Sequence, residues 1–176
     1  MKYSRTNIKI CVLSVFLSML FVSSSWASVS TQDPKTRIIE VSDALFNTGA
    51  TKTSLVDSLN ELLDVVVTLT SASQYRDEIS HHVNVAKGLI KNQSLFNDKA
   101  RQYLSLAYRM VTNGKNYQNP KELDEFVTPA EAQQKAMRYA KELIEKSLFE
   151  LESGYAENAA KYLLELVIMV VTPVSG

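Results

Sequence analysis

From residue 34 onwards, hydrophobic residues recur every three or four positions, the spacing that gathers them on one face of an α-helix. The clearest stripe runs through leucines and valines between positions 55 and 69. Similar stripes follow along the rest of the chain. The pattern predicts about six helices, with approximate bounds at 34–46, 55–69, 75–90, 98–111, 129–153 and 155–171.

Residues that favour helix ends mark several of these boundaries. Asp33-Pro34 is a typical N-cap and first helical residue, and Thr128-Pro129-Ala130-Glu131 forms a capping box. At the other ends, Asn113-Gly114 and Gly154 supply the left-handed conformation that commonly closes a helix. Only the segment from Lys115 to Val127 is predicted to be a long loop.

The last two segments are predicted to form an antiparallel hairpin over 129–171, because so short a connection allows little else. Positions 162–171 are apolar nearly all round apart from Glu165, which favours a central helix, although the β-branched residues leave a buried strand open. We therefore expect an all-α, single-domain bundle of about six helices arranged as antiparallel hairpins. A tetratricopeptide-like array is the alternative, but no period of about 34 residues recurs.

The first 27 residues have the organisation of a secretory signal peptide. Basic residues precede an apolar run over 10–22, and Ser25-Trp26-Ala27 supplies small residues at a cleavage point. The run is shorter than the roughly 20 apolar residues that a membrane span needs. We expect a periplasmic or secreted protein, cleaved near Ala27, whose mature domain covers 28–176 and has no stable membrane insertion.

Cleavage changes the chemistry available to the mature chain. It removes three of the 19 basic residues and none of the 19 acidic ones, leaving a mildly acidic domain without a basic block for nucleic acid. The only cysteine, Cys11, and the only tryptophan, Trp26, lie in the same segment. A disulfide framework, a thiol nucleophile and a cysteine-ligated metal are thereby excluded from the predicted mature form.

Both histidines lie in Asp77-Glu78-Ile79-Ser80-His81-His82 on the predicted third helix. Glu78 and His81 have the Glu-x-x-His spacing of di-iron bundles and Glu78 also faces His82, so these three are the candidate ligands of a divalent metal. Adjacent histidines point about 100° apart on a helix, which opposes a shared metal. The alternatives are weak surface pairs with acids and, for His82, a half-buried, pH-sensitive packing residue. A di-iron site also needs carboxylates from other helices, for which the candidates are Glu61, Asp64 and Glu165.

Tyr117, His82 and Glu165 are the candidate binding residues. Tyr117 lies in Gly114–Pro120, a polar and aromatic segment that is long for a helical connection and is either a recognition surface or an ordinary linker. Glu165 interrupts the most apolar helix, where an unpaired carboxylate is costly. We expect it to reach solvent, to pair with a basic residue or to mark a cavity.

Sequence motifs of common enzymes are absent: the chain has no Gly-x-Ser-x-Gly elbow, no phosphate-binding glycine loop and no readable nucleophile–base pair. We therefore expect an accessory or interaction domain that binds a protein or peptide and needs no cofactor. A ligand- or metal-binding bundle is the first alternative, and an enzyme is the third hypothesis. If the last helix is not fully covered within one chain, its apolar face favours a homodimer.

Overall fold

The structure is a computed structural model that describes residues 32–46, 51–118 and 129–172. These ranges contain six α-helices and no β-strand, which confirms the expected all-α bundle. The helices are α1 Pro34–Leu45, α2 Lys52–Leu69, α3 Arg76–Asn92, α4 Asp98–Val111, α5 Pro129–Glu152 and α6 Ala156–Val171.

The helices pack as hairpins, α1 with α2, α3 with α4, and α5 with α6. At the centre, α2 packs against α6, and α1 closes the arrangement by contacting α5. There, Lys35 near the start of α1 pairs with Glu152 at 2.5 Å. Lys141, earlier in α5, lies over the ring of Phe46 just beyond the end of α1. These two contacts show that α1 and α5 are antiparallel.

Because α1 and α5 are antiparallel, α4 and α5 run in the same direction, and both pack against α6. The short connections reverse the chain between α1 and α4, so α4 runs opposite to α1, as α5 does. The end of α4 and the start of α5 therefore lie at opposite ends of the bundle. The α3–α4 turn and the α5–α6 turn lie at opposite ends for the same reason.

The central helix is α6, which packs against α2, α4 and α5. Every residue from 159 to 171 is buried or half-buried, so this segment forms a core helix and not a strand. Each fully buried large aliphatic side chain contributes about 1.5–3 kcal/mol. We expected a homodimer only if α6 was not covered within one chain. In the described structure α6 is covered, so that condition is not met on this helix. The largest fully buried side chains of α6 are Leu163, Leu164, Leu166 and Ile168.

Short polar side chains begin two of the helices. Thr51 accepts a hydrogen bond from the backbone N–H of Ser54 at 3.1 Å, and α2 therefore begins before the first leucine of its predicted stripe. Asn97 accepts a bond from the N–H of Ala100 at 3.1 Å at the start of α4. The predicted capping box at Thr128 includes a residue outside the described ranges.

A Schellman motif ends α5, as the glycine in this position predicts. Gly154 has φ +81°, and its N–H donates to the carbonyl of Leu151 at 3.1 Å. The N–H of Tyr155 donates to the carbonyl of Glu150 at 2.8 Å. Left-handed conformations also follow α4, at Asn113-Gly114. Both predicted helix ends are confirmed.

The predicted signal peptide and its cleavage point lie outside the described residues. The chain divides into one unit over Met1–Asp33 and a second over Pro34–Gly176, which contains all six helices. In the described ranges, none of the helices is long and apolar enough to cross a membrane.

Alanine substitutions at two glycines are expected to change stability in opposite directions. At Gly88, inside α3, a Cβ meets nothing within 4 Å, so Gly88→Ala should raise the free energy of unfolding by about 0.5–1 kcal/mol. Gly154 has similar space but φ +81°, so Gly154→Ala should lower it by about 1–2 kcal/mol. Urea denaturation measures both values. Stabilisation by Gly154→Ala would contradict the Schellman motif.

Candidate functional site

Glu165 and Tyr117, which the sequence suggests separately, lie in one cluster beside α4 and α6. The Glu165 carboxylate accepts a hydrogen bond from the hydroxyl of Tyr108 at 2.8 Å and lies 3.7 Å from Nζ of Lys161. The Glu165 side chain is only 12% exposed. Its charge is therefore compensated by a hydroxyl and an ammonium group, which agrees with one of the three expected outcomes, pairing with a basic residue.

Tyr117 follows α4 and packs edge-on against Tyr108, with ring centroids 5.7 Å apart. Its hydroxyl is buried and has no hydrogen-bond partner among the described residues. Burial, followed by the proximity of Tyr139 and Glu165, raises the pKa of Tyr117. Burial and the hydrogen bond to Glu165 raise the pKa of Tyr108 as well. Both hydroxyls stay protonated at neutral pH, so neither is suited to act as a base.

Two lysines extend this cluster along α5 and α6. Nζ of Lys161 lies 4.5 Å and Nζ of Lys146 lies 5.9 Å from the ring centroid of Tyr162. Lys146 also donates to Glu142 at 2.6 Å, and this hydrogen bond raises the pKa of Lys146. The cluster is thus stabilised by contacts among its own charged groups and rings. Tyr117 is connected to the central helix through Tyr108, which bonds to Glu165.

Removing one hydroxyl at a time should distinguish the two tyrosines. Tyr108→Phe deprives the Glu165 carboxylate of a partner and should lower the free energy of unfolding by about 1–3 kcal/mol. Tyr117→Phe removes an unpaired buried hydroxyl and should leave stability unchanged or raise it by up to about 1 kcal/mol. Urea denaturation gives both values. Equal losses in the two variants would show that the Tyr117 hydroxyl is bonded in the folded protein.

His81 and His82 lie on α3, which does not contact α6 in the described bundle. The two histidines are therefore separate from Glu165. The half-buried His82 ring lies 5.8 Å from the ring of Tyr103 on α4 and 5.5 Å from that of His81. Nδ1 of His82 is buried without a hydrogen-bond partner within the described ranges. His81 and Glu78 are exposed. His82 is thus placed as a packing residue between α3 and α4.

No group of three or more His, Cys, Asp or Glu residues is placed to hold a metal ion in residues 32–46, 51–118 and 129–172. The additional carboxylates suggested from the sequence are paired with basic residues. Glu61 accepts a hydrogen bond from Nε of Arg37 at 2.6 Å, and Asp64 pairs with Lys87. Both of these carboxylates thus have a basic partner.

His82 should make stability depend on pH. Burial, and to a smaller extent His81, lowers the pKa of His82, while Glu78 acts in the opposite direction. Below about pH 6.5, the unfolded chain therefore binds a proton that the folded chain does not yet bind. The free energy of unfolding should fall as the pH decreases through this range. His82→Asn should weaken that dependence in urea denaturation series, whereas an unchanged dependence would contradict the assignment.

The two most exposed large apolar side chains of the described protein lie at the α5–α6 turn. We call residues 145–158 the hairpin tip; within it, Phe149 is 67% exposed and Tyr155 is 62% exposed. These residues occupy positions that a Schellman motif commonly brings into contact at a helix end. The hairpin tip therefore presents two aromatic rings from one turn.

Side-chain hydrogen bonds hold the hairpin tip in addition to the Schellman bonds. The buried hydroxyl of Ser147 donates to the carbonyl of Ala159 at 3.1 Å, which ties α5 to α6. Nδ2 of Asn158 donates to the Glu150 carboxylate at 2.9 Å. The turn that carries the two exposed rings is thus stabilised by backbone hydrogen bonds and by side-chain hydrogen bonds between α5 and α6.

Phe149 and Tyr155 are not among the candidate binding residues predicted from the sequence, although a signal for Phe149 exists. Phe149 lies one position beyond Leu148, the last member of the apolar stripe of α5, so it falls outside the buried stripe. An aromatic residue in such a position is a candidate for contact with a partner. Tyr108 gives no comparable signal, because it lies 57 positions from Glu165 in the chain.

An open groove of about 620 Å³ also lies along the first half of α5. It is lined by side chains of both charges and by one half-exposed methionine. The hairpin tip differs in combining two aromatic rings with a bonded turn. The residues that line the groove are Glu131, Gln134, Lys135, Met137, Arg138 and Lys141.

No protein-family model, curated protein or solved structure matches this chain.

Proposed function

We propose that the mature chain is an exported helical accessory domain that binds a protein or peptide partner through the hairpin tip. The observation that supports this proposal most is the exposure of Phe149 and Tyr155. Aromatic residues are enriched among the side chains that dominate the binding energy of protein interfaces. Export is supported by the signal-peptide organisation of the first 27 residues.

The two rings can contribute substantially to binding because they are largely in contact with water. Covering such a side chain completely contributes about 1.5–3 kcal/mol. The hydrogen bonds of the turn reduce the conformational freedom that a partner would otherwise have to restrict. Single exposed aromatic residues are ordinary, as Phe96 at the α3–α4 turn illustrates with 57% exposure. The hairpin tip differs from that turn because it presents two exposed aromatic rings and not one.

The interior clusters favour binding over catalysis. Glu165 is paired with Tyr108 and Lys161, and Tyr117 is packed against the same tyrosine. These contacts stabilise the packing of α4, and of the segment that follows it, against α6. The two aromatic residues of the hairpin tip, in contrast, have no comparable packing role.

Peptide display on the purified full chain tests the proposed function. Selected peptides should bind the wild-type protein and should bind a Phe149→Ser/Tyr155→Ser variant at least about tenfold more weakly, because central aromatic residues contribute more than about 1 kcal/mol at interfaces. Phe96→Ser is the matched control, since Phe96 is a similarly exposed ring at the opposite end of the bundle. It should bind like the wild type.

Circular dichroism melting curves establish that all variants are folded before binding is compared. Selected peptides that bind the double variant as tightly as the wild type would contradict the hairpin tip as the binding surface. A selection that enriches no peptide over the bare support would contradict the proposed function itself.

Export has its own test. The full chain expressed in a bacterial host should accumulate in the periplasm with Ser28 as its first residue, as measured by cell fractionation and N-terminal sequencing. Ala27→Leu, which replaces the small residue at the cleavage point, should leave a precursor that retains the first 27 residues. An intact chain found only in the cytoplasm would contradict the signal-peptide interpretation.

A further inference from the structure

We infer that the hairpin tip selects a cationic partner segment, in which Lys or Arg residues flank an apolar side chain. This inference rests on the proposed function and specifies the chemistry of its partner. Two observations support it: the rings of Phe149 and Tyr155 are exposed, and two carboxylates of the hairpin tip have no ion pair among the described residues.

Acidic residues predominate in the hairpin tip, which has four glutamates and one lysine. Glu152 is paired with Lys35, and the lysine of the tip, Lys146, is paired with Glu142. The basic residues near the tip are therefore already engaged. The four glutamates are Glu145, Glu150, Glu152 and Glu157.

Two of these glutamates are available to a partner. Glu145 and Glu157 are exposed and form no ion pair with any residue that the structure describes. Glu145 lies one helical turn before Phe149 on the same face of α5. Glu157 lies in the first turn of α6, two residues after Tyr155. Each exposed ring thus has, within four residues along the chain, an exposed carboxylate without an ion pair in the described ranges.

Aromatic rings elsewhere in this protein already contact cations. Nζ of Lys161 lies 4.5 Å from the ring centroid of Tyr162, a favourable cation–π distance. Within the described ranges, no lysine or arginine covers Phe149 or Tyr155. A Lys or Arg side chain from a partner can therefore contact a ring face and pair with a neighbouring carboxylate. An acidic partner would meet repulsion at the same place.

The charge of the hairpin tip also distinguishes a cationic segment from two other occupants. A second copy docked tip to tip would bring glutamates against glutamates, which is unfavourable. A membrane surface rich in anionic lipids would repel the same glutamates. A segment with an apolar side chain between cations covers the rings and compensates both free carboxylates.

A display library with one fixed leucine and randomised flanking positions tests this chemistry on the full-chain protein. Lys and Arg should be enriched at the flanks of peptides selected by the wild type. For a selected peptide, replacing its flanking cations with Gln should weaken binding about fivefold, the effect expected of two exposed ion pairs. Raising the salt concentration to about 0.5 M should remove most of this difference.

The Glu145→Gln/Glu157→Gln variant should lose the preference for flanking cations while still binding the Gln-flanked peptide. The matched control is Asp77→Asn/Glu78→Gln, which removes two exposed acids from the start of α3 and should keep the preference. Peptides selected without enriched cations, or a preference unchanged in the tip variant, would overturn the inference and leave the proposed function standing. Failure to select any peptide would contradict both.

Discussion

A helix that is apolar on nearly all sides has to be covered on nearly all sides, and α6 imposes this requirement on the whole bundle. It packs against α2, α4 and α5, and its residues from 159 to 171 are all buried or half-buried. The one charged residue in its most apolar part, Glu165, needs partners there because an uncompensated charge in the core is costly. Tyr108 and Lys161 meet that need.

The same requirement explains why the cluster around Tyr117 is best regarded as part of the fold. Because α4 packs against α6, the chain that follows α4 begins beside the central helix. Tyr117 packs there against Tyr108, whose hydroxyl bonds to Glu165. What looks like a set of functional groups in the sequence is thus engaged in covering and compensating α6. The two most exposed aromatic residues of the described structure lie at the hairpin tip instead.

Features set by neighbouring residues could be predicted from the sequence. The start of α4 at Asp98 and the end of α5 before Gly154 follow from local capping and left-handed conformation, and both agree with the structure. The central position of α6 follows from its composition. The bond between Tyr108 and Glu165 could not be predicted, because it depends on the packing order of helices that are distant in the chain.

The environments of individual side chains were harder to predict for the same reason. The contact of His82 with Tyr103 depends on how α3 meets α4, and hydrophobic periodicity alone does not specify that pairing. Periodicity does place Phe149 outside the buried stripe, but the joint exposure of Phe149 and Tyr155 depends on the geometry of the turn.

The most direct test of the hairpin tip as a docking surface is an NMR titration of the isotope-labelled full chain with a display-selected peptide that has flanking cations. The account predicts that backbone amide shifts change chiefly within residues 145–158, while the amides of Tyr117 and Glu165 change little. Shift changes centred on Tyr117 and Glu165, with the hairpin tip unaffected, would contradict it.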